Sequence, residues 1–435
     1  MWREKLLPNV LVALFGSSTW LIVNAAWMQL PLMVNVLPEQ WNLPSYLSLI
    51  VQLGSAAALI FGLLNKCSTR FRQWDKTWLI IVWMTIAVGL TVALSFVWMR
   101  TAVVAGQLHS VWLFVLFLLL SMYSCTTDLL YLPHVAVFDS YLITTYFVGM
   151  GFSALVPSVL ALIQGVGHQT CVPIPNNHTS NDTVQKYKTV NQPARFSVQT
   201  YFICISFWLL LACIAFIWLS VRRRQNQVSH EKASPAIIDV DGGSSAETSR
   251  SPTPAPDPNR LGTGAFLLLL FITAWCCAWM NAVLPAIQIY ACLPYGHMVY
   301  HLALTLSNVA NPVACLLPIW LAIKRTSLLI GLTLVVTLDC VYIVVLAFMS
   351  PTPPMHHGWL GGAIAVISNM LAIGSLAYLR TMVASQLRQC AGDSKTRLFW
   401  CGVSTQLGSM LGAALMFPAV NVLKLFTMAD ACNRA

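Results

Sequence analysis

The chain has 435 residues, 57% of them hydrophobic and only 9% charged, and a formal net charge of +10. Its mean hydropathy of +0.71 excludes a soluble globular domain. An all-α polytopic membrane protein is the class that remains, with the lipid bilayer as its first partner.

Apolar runs of about 20 residues, the length that crosses the hydrocarbon layer as helix, occur near 8–34, 44–64, 78–98, 108–132, 141–164, 198–220, 262–286, 297–322, 326–349, 358–387 and 398–424. Eleven transmembrane helices are expected. The first run is too long for a cleavable signal peptide and carries Asn24 and Gln29. Within it Trp20, Asn24 and Trp27 recur at i, i+4 and i+7, which sets an amide between two indoles on one helix face. Such a face is a flat stacking surface with a hydrogen-bonding group at its centre.

The fourth run contains Asp128. After the fifth comes an outer loop, 165–197, with the sequons Asn177/His178/Thr179 and Asn181/Asp182/Thr183, acceptors for lumenal glycosylation. Most of the 13 cysteines lie inside apolar runs, where Cys acts as a small apolar residue. Cys171, Cys292 and Cys432 fall on or near the oxidising side, and a Cys171–Cys432 bridge is one pairing they allow. No metal-ligand spacing occurs, and no cofactor is expected.

The stretch 221–261 is rich in Ser, Pro, Gly and charge and reads as a disordered cytoplasmic linker between an N-terminal half, 1–220, and a C-terminal half, 262–435. The two halves open alike: "VNAAWMQLP" then "LPSYLSL" in the first, "MNAVLP" then "LPYGHMVYHLAL" in the second. Both first helices run in the same direction, so the expectation is a 6+5 parallel pseudo-repeat with a solute site between the halves near the midplane. In the seventh run Asn281 and Gln288 stand at i and i+7. Tyr295 and Tyr300 flank the start of the eighth, where His301, Thr305 and Asn308 share a face with Asn311 one turn on. Amides between packed helices either bond one another or line a polar cavity; this many on two helices favours the cavity.

Charges inside the runs are few: Asp128, Asp339 and Arg380. An unpaired charge at that depth is expensive, and Asp128 and Arg380 both lie towards the cytoplasmic side. An ion pair that closes an inner gate, or a permanent structural pair, is expected there. The basic residues set the orientation: 17 of 24 fall in segments that are cytoplasmic if the N-terminus is inside, which leaves the C-terminus outside. That bias accounts for the positive charge without an anionic partner, and no nucleic acid is expected. Aromatic faces and neutral amides with so few charges suit an uncharged, partly aromatic, hydroxyl-bearing solute, nucleoside-like or flavin-like. His134 and Asp139 have an acyltransferase-like spacing but no acceptor-binding element, so no enzyme is expected.

The segments "NAVLPAIQIYACLPYGHMVYHLA" with "NVANPVAC", "VAGQLHSVWL", "GFSALVPSVLALIQGVG" and "QLGSMLGAALMFP" closely resemble the eukaryotic riboflavin transporter family, solute carrier family 52. The match runs through nearly the whole chain and fails mainly in the linker and the outer loop after the fifth run. The resemblance implies an eleven-span plasma-membrane carrier of riboflavin that needs no sodium gradient, arranged like equilibrative nucleoside transporters and major facilitator carriers. Asn24 and Trp27 match the family's first-span motif, and Gln29 stands where relatives carry Glu, which puts a proton role for that carboxylate in doubt. Asn281, Pro285, Gln288, Tyr295, Tyr300, His301 and Asn311 match its span 7 and 8 signature. Asp128 lies where relatives have a small polar residue, and Arg380 where a basic residue recurs after a tyrosine, here Tyr378. A nucleoside or nucleobase carrier and a non-transporting receptor are the rival readings. Oligomeric state is not legible.

Overall fold

The structure, a computed structural model, describes residues 2–40, 43–67, 76–136, 141–165, 169–173, 187–191, 194–233, 262–323, 325–356, 358–390 and 393–429. Among them ten helices are long and apolar enough to cross a membrane, and a bent pair of shorter helices, counted as one span, brings the number to eleven. In chain order the spans are 1, Leu6–Ser17 with Leu21–Met33; 2, Leu43–Cys67; 3, Lys76–Val97; 4, Val111–Val135; 5, Leu142–Gln164; 6, Val198–Gln225; 7, Thr263–Tyr295; 8, His297–Ile319; 9, Thr326–Phe348; 10, Trp359–Gln389; and 11, Ser394–Val422. Large apolar side chains such as Leu334, Leu338, Leu411 and Leu415 stay exposed on the outer faces, as they must where the solvent is hydrocarbon.

Span 1 departs from the uninterrupted helix expected over 8–34. It bends by 55° at Ser18–Trp20. The run Ser17-Ser18-Thr19 folds its hydroxyls back onto the carbonyls of Leu14, Phe15 and Gly16 at 2.7, 2.7 and 3.0 Å, which satisfies acceptors that a helix end otherwise leaves open. Tyr123 donates to the Ser18 carbonyl at 3.3 Å and Trp208 to Ser17 Oγ at 2.9 Å. The break is therefore held from spans 4 and 6. Span 7, which opens the other half, is also irregular: it widens to a π turn over Trp279–Val283 before Pro285, a residue with no N–H for the helix ladder.

Inside the N-terminal half span 1 packs on span 5, span 2 on span 4 and span 3 on span 6; inside the C-terminal half span 7 packs on span 11 and span 8 on span 10. Span 5 meets span 8 and span 4 meets span 11 across the halves. Small residues permit the closest approaches. A Cβ at Gly149 would overlap the Ala13 carbonyl, and one at Gly408 the Ala274 carbonyl.

The helix of span 6 continues to Ala233, so the first part of the segment read as linker is helical; 234–261 lies outside the described residues. Two hairpins cap the bundle. One pairs Ala102–Val104 with Gln107–His109 through Ala105 and Gly106, both at positive φ, the turn geometry that matches strand twist. Glu39 fixes that hairpin to span 4, accepting from Ser110 N at 2.7 Å and Ser110 Oγ at 2.6 Å, with His109 Nδ1 at 3.5 Å. The other pairs Gln169–Pro173 with Tyr187–Asn191, placing Cys171 opposite Thr189. Asn177, Asn181 and Cys432 lie outside the described residues, as therefore does any Cys171–Cys432 bridge.

Candidate functional site

Span 5 is the polar spine of the interface. Its Ser153 Oγ accepts from the Asn24 amide at 3.3 Å, and its Ser158 Oγ accepts from Asn308 of span 8 at 2.6 Å. One turn before Ser153, the sulfur of Met150 receives Arg380 Nη2 of span 10 at 3.9 Å. A single helix thus touches Asn24 from its own half and Asn308 and Arg380 from the other. The serines were not singled out in the sequence, where they carry no periodic signal.

The arrangement recurs in the C-terminal half. Asn281 donates to Ser409 Oγ of span 11 at 3.0 Å, as Asn24 does to Ser153. Both asparagines sit in the first span of their half, one just past the break and one in the π turn, where an irregular backbone leaves the helix ladder. Each amide keeps its carbonyl oxygen free of any partner among the described residues, since its own N–H₂ supplies the bond to serine.

Asp128 and Arg380, about two turns before the ends of spans 4 and 10, line one cavity with Tyr146, Phe147, Met150, Thr273, Cys401 and Thr405. About 280 Å³ of non-atom space lies along this lining with open solvent included, and the enclosed part holds little more than one water molecule. The expected ion pair takes a different form. Both hydrogen bonds to the carboxylate land on Oδ2: Trp20 Nε1 at 3.2 Å and Gln406 Nε2 of span 11 at 2.8 Å. Arg380 puts its N–H groups on the sulfurs of Met280 and Met150, each at 3.9 Å, and lies 6.0 Å from the Phe147 ring centre. Among the described residues no carboxylate comes within 4.0 Å of the guanidinium. The two charges share a cavity without touching. Gln406 also donates to the Cys125 carbonyl at 3.1 Å, and spans 4 and 11 approach so closely at Gly402 that a Cβ there would overlap the Asp128 carbonyl.

The remaining sequence-derived residues separate into two sets. Gln288 and Trp27 are half-buried, and their polar groups have no hydrogen-bond partner among the described residues. Tyr300 packs against His301 with ring centres 5.7 Å apart, and among the described residues Asn311 accepts only a weak 3.8 Å contact from Cys315 Sγ. The other set is tied into the scaffold. Gln29 is fully buried and donates to Gln164 at 2.6 Å, which in turn donates to the Phe196 carbonyl at 2.8 Å. Tyr295 donates to the Pro354 carbonyl at 2.9 Å, and Tyr378 to the Leu321 carbonyl at 2.5 Å. Tyr378 therefore anchors the segment after span 8 rather than joining Arg380 in the cavity. Asp339 pairs with Ser368 at 2.5 Å between spans 9 and 10.

Comparison with known proteins places this architecture. The chain superposes on the major facilitator transporter FucP in its outward conformation with a TM-score of 0.53, at 12% identity over 96% of this chain and 91% of that one. A bacterial homologue of the iron transporter ferroportin gives 0.56 at 13% identity, covering 96% and 92%. At such identities the likeness is one of fold alone. In sequence, riboflavin transporter 2 of Salmo salar is 36% identical over 98% of both chains. The riboflavin transporter rft-1 of Caenorhabditis elegans is 38% identical over 97% of this chain and 98% of its own, and the human solute carrier family 52 member 1 is 34% identical over 98% and 96%. The family model described as solute carrier family 52, riboflavin transporter, matches residues 4–428. The chain therefore belongs to solute carrier family 52, the riboflavin transporters, a family of carriers and not of enzymes.

Proposed function

We propose that this protein carries riboflavin across the plasma membrane by alternating access and without a sodium gradient. The observation that carries the reading is the polar seam between the halves, in which Asn308 bonds Ser158 and Gln406 bonds Asp128 across spans that belong to opposite halves. Alternating access needs an interface that opens and recloses, and a few specific polar bonds can be exchanged for bonds to a solute where a continuous apolar seam cannot.

The isoalloxazine ring of riboflavin is flat and stacks on Trp20, Trp27 and Tyr300. Its ribityl hydroxyls are met by Asn24, Asn281, Gln288, Asn308 and Asn311, with His301 at the outer rim. The matched Asn–Ser pairs of spans 1/5 and 7/11 support a parallel repeat between the halves, with the site on the pseudo-axis. Trp20, Asp128 and Gln406 form the gate at the basic end, which the charge bias puts in the cytoplasm. Asn177 and Asn181 are then extracellular and glycosylated, and Cys171 and Cys432 share the oxidising side.

Uptake of labelled riboflavin into proteoliposomes of the purified protein tests this, with unlabelled riboflavin, lumiflavin and uridine as competitors and with sodium present or absent. Saturable uptake that flavins block, that uridine leaves alone and that ignores sodium is the expected result. Block by uridine would point to a nucleoside carrier, and absence of uptake by folded protein to a receptor.

A further inference from the structure

The cavity between spans 4, 5, 7, 10 and 11 has an unusual balance. It holds a carboxylate and a guanidinium that do not pair with each other, and a phenol with no hydrogen-bond partner among the described residues. The Asp128 side chain is 3% exposed, and both of its hydrogen bonds arrive at Oδ2, so Oδ1 has none among the described residues. The Tyr146 hydroxyl, fully buried, has no hydrogen-bond partner among the described residues. Arg380 offers five N–H donors, and the hydrogen-bond acceptors it meets among the described residues are two thioether sulfurs at 3.9 Å, weak acceptors for so strong a donor. Polar groups left this way at such depth cost free energy unless something arrives to bond them.

The chemistry of the missing partner follows from the charges. A carboxylate or phosphate would be drawn to Arg380 and repelled by Asp128; an ammonium group would meet the reverse. A neutral group that donates and accepts side by side satisfies both. A cyclic imide is such a group, with one N–H flanked by two carbonyl oxygens, and the Phe147 ring supplies a flat apolar wall beside it. Met150 precedes Ser153, the partner of Asn24, by three residues, and Met280 precedes Asn281 by one. The cavity thus adjoins the amide-rich seam, one turn closer to the basic end; its enclosed part has room for little more than one water molecule, so a ring edge enters only as the lining side chains part.

Resting on the riboflavin reading above, we infer that this cavity is the subsite for the pyrimidinedione edge of the flavin: Asp128 Oδ1 accepts from the imide N–H, and Arg380 and Tyr146 donate to the flanking carbonyl oxygens. The remainder of the isoalloxazine lies in the seam above, with the ribityl chain towards the amides. Asp128 is then a determinant of specificity, and the Trp20 and Gln406 bonds position it by pinning Oδ2 and leaving Oδ1 for the substrate.

The test is competition against labelled riboflavin uptake by the full-length protein in proteoliposomes, using unlabelled riboflavin and 3-methylriboflavin, in which the imide hydrogen is replaced by methyl. In the wild type the methylated compound should compete at least about tenfold more weakly, the penalty for a site whose polar group is left unbonded. In Asp128→Asn the Trp20 and Gln406 N–H groups hold the amide oxygen at the former Oδ2, so the amide N–H₂ faces the cavity and meets the imide N–H donor to donor. Riboflavin should lose affinity in this variant while the methylated analogue changes little, which reduces the ratio to about threefold or less.

Tyr146→Phe removes a hydroxyl that bonds nothing among the described residues, so it should fold normally and still weaken riboflavin by about threefold or more. That variant carries the test if Asp128→Asn does not fold. Equal competition by the two compounds in the wild type, or an unchanged ratio in Asp128→Asn with riboflavin unaffected by Tyr146→Phe, would mean that the cavity holds water only and would overturn the inference while leaving riboflavin transport intact. Absence of saturable riboflavin uptake in the wild type would instead remove the transport reading itself.

Discussion

Gln406 of span 11 donates to Asp128 of span 4 at 2.8 Å, which joins the two halves through one buried hydrogen bond to a carboxylate. Such bonds contribute about 1.5–3 kcal/mol, enough to shift a two-state equilibrium roughly tenfold or more. Gln406→Leu should therefore raise the population open at the basic end. Cys401 lines the adjoining cavity and is almost fully buried, so its alkylation by maleimide, followed by peptide mass spectrometry, should speed up about tenfold in the variant. An unchanged rate would show that the bond does not hold the gate.

Another link across the halves, Asn308 to Ser158 at 2.6 Å, is open to a double-mutant cycle. Asn308→Ala and Ser158→Ala should each lower the unfolding midpoint in detergent, and the double variant should lose less than the sum. The expected coupling is about 0.6 kcal/mol, the usual size for amide and hydroxyl pairs between transmembrane helices. Strict additivity would mean that the contact contributes nothing in solution.

Gln288 and Gln29 should behave in opposite ways. The Gln288 amide has no partner among the described residues, so Gln288→Ala should leave stability within about 0.5 kcal/mol and raise the KM for riboflavin. Gln29→Ala orphans one end of the Gln164 amide, a loss of about 1–3 kcal/mol in stability, with KM unchanged in the protein that folds. Thermal unfolding and uptake kinetics on the same preparations separate the two. A KM effect confined to Gln29→Ala would exchange their roles.

Tyr295 and Tyr378 bond the carbonyls of Pro354 and Leu321, and neither hydroxyl faces the seam. Tyr295→Phe and Tyr378→Phe should each cost about 0.5–1.5 kcal/mol of stability without changing KM or competitor selectivity. A selective change in substrate affinity in either variant would bring that tyrosine back into the site.

The close approach of spans 7 and 11 at Gly408 leaves no room for a side chain beside the Ala274 carbonyl. Gly408→Val should abolish folded protein at the membrane, whereas Gly331→Val, at a glycine with nothing within 4 Å of its Cβ position, should express normally. Similar surface levels for both would contradict the packing of spans 7 and 11.

The sequence by itself determined the class and much of the topology. Continuous apolar runs are unambiguous because a bilayer admits few alternatives to a helix, and the bend in span 1 and the extension of span 6 to Ala233 are local departures within that plan. The i, i+4, i+7 pattern pointed to Trp20 and Asn24, which the structure bonds to Asp128 and Ser153, though Trp20 stands at the break, just before the helix that carries Asn24. What periodicity could not supply was the partner of each polar group, because a helical face says where a side chain points and not what meets it. Only the tertiary structure separated Gln29, buried with its amide N–H₂ bonded to Gln164, from Gln288, half-buried with no partner among the described residues; both are amides in apolar runs. Likewise Asp128 and Arg380 were legible as costly charges that needed company, but the company proved to be Trp20, Gln406 and two methionine sulfurs. Those contacts join residues at least 100 positions apart in the chain, and such distances close only when the helices pack.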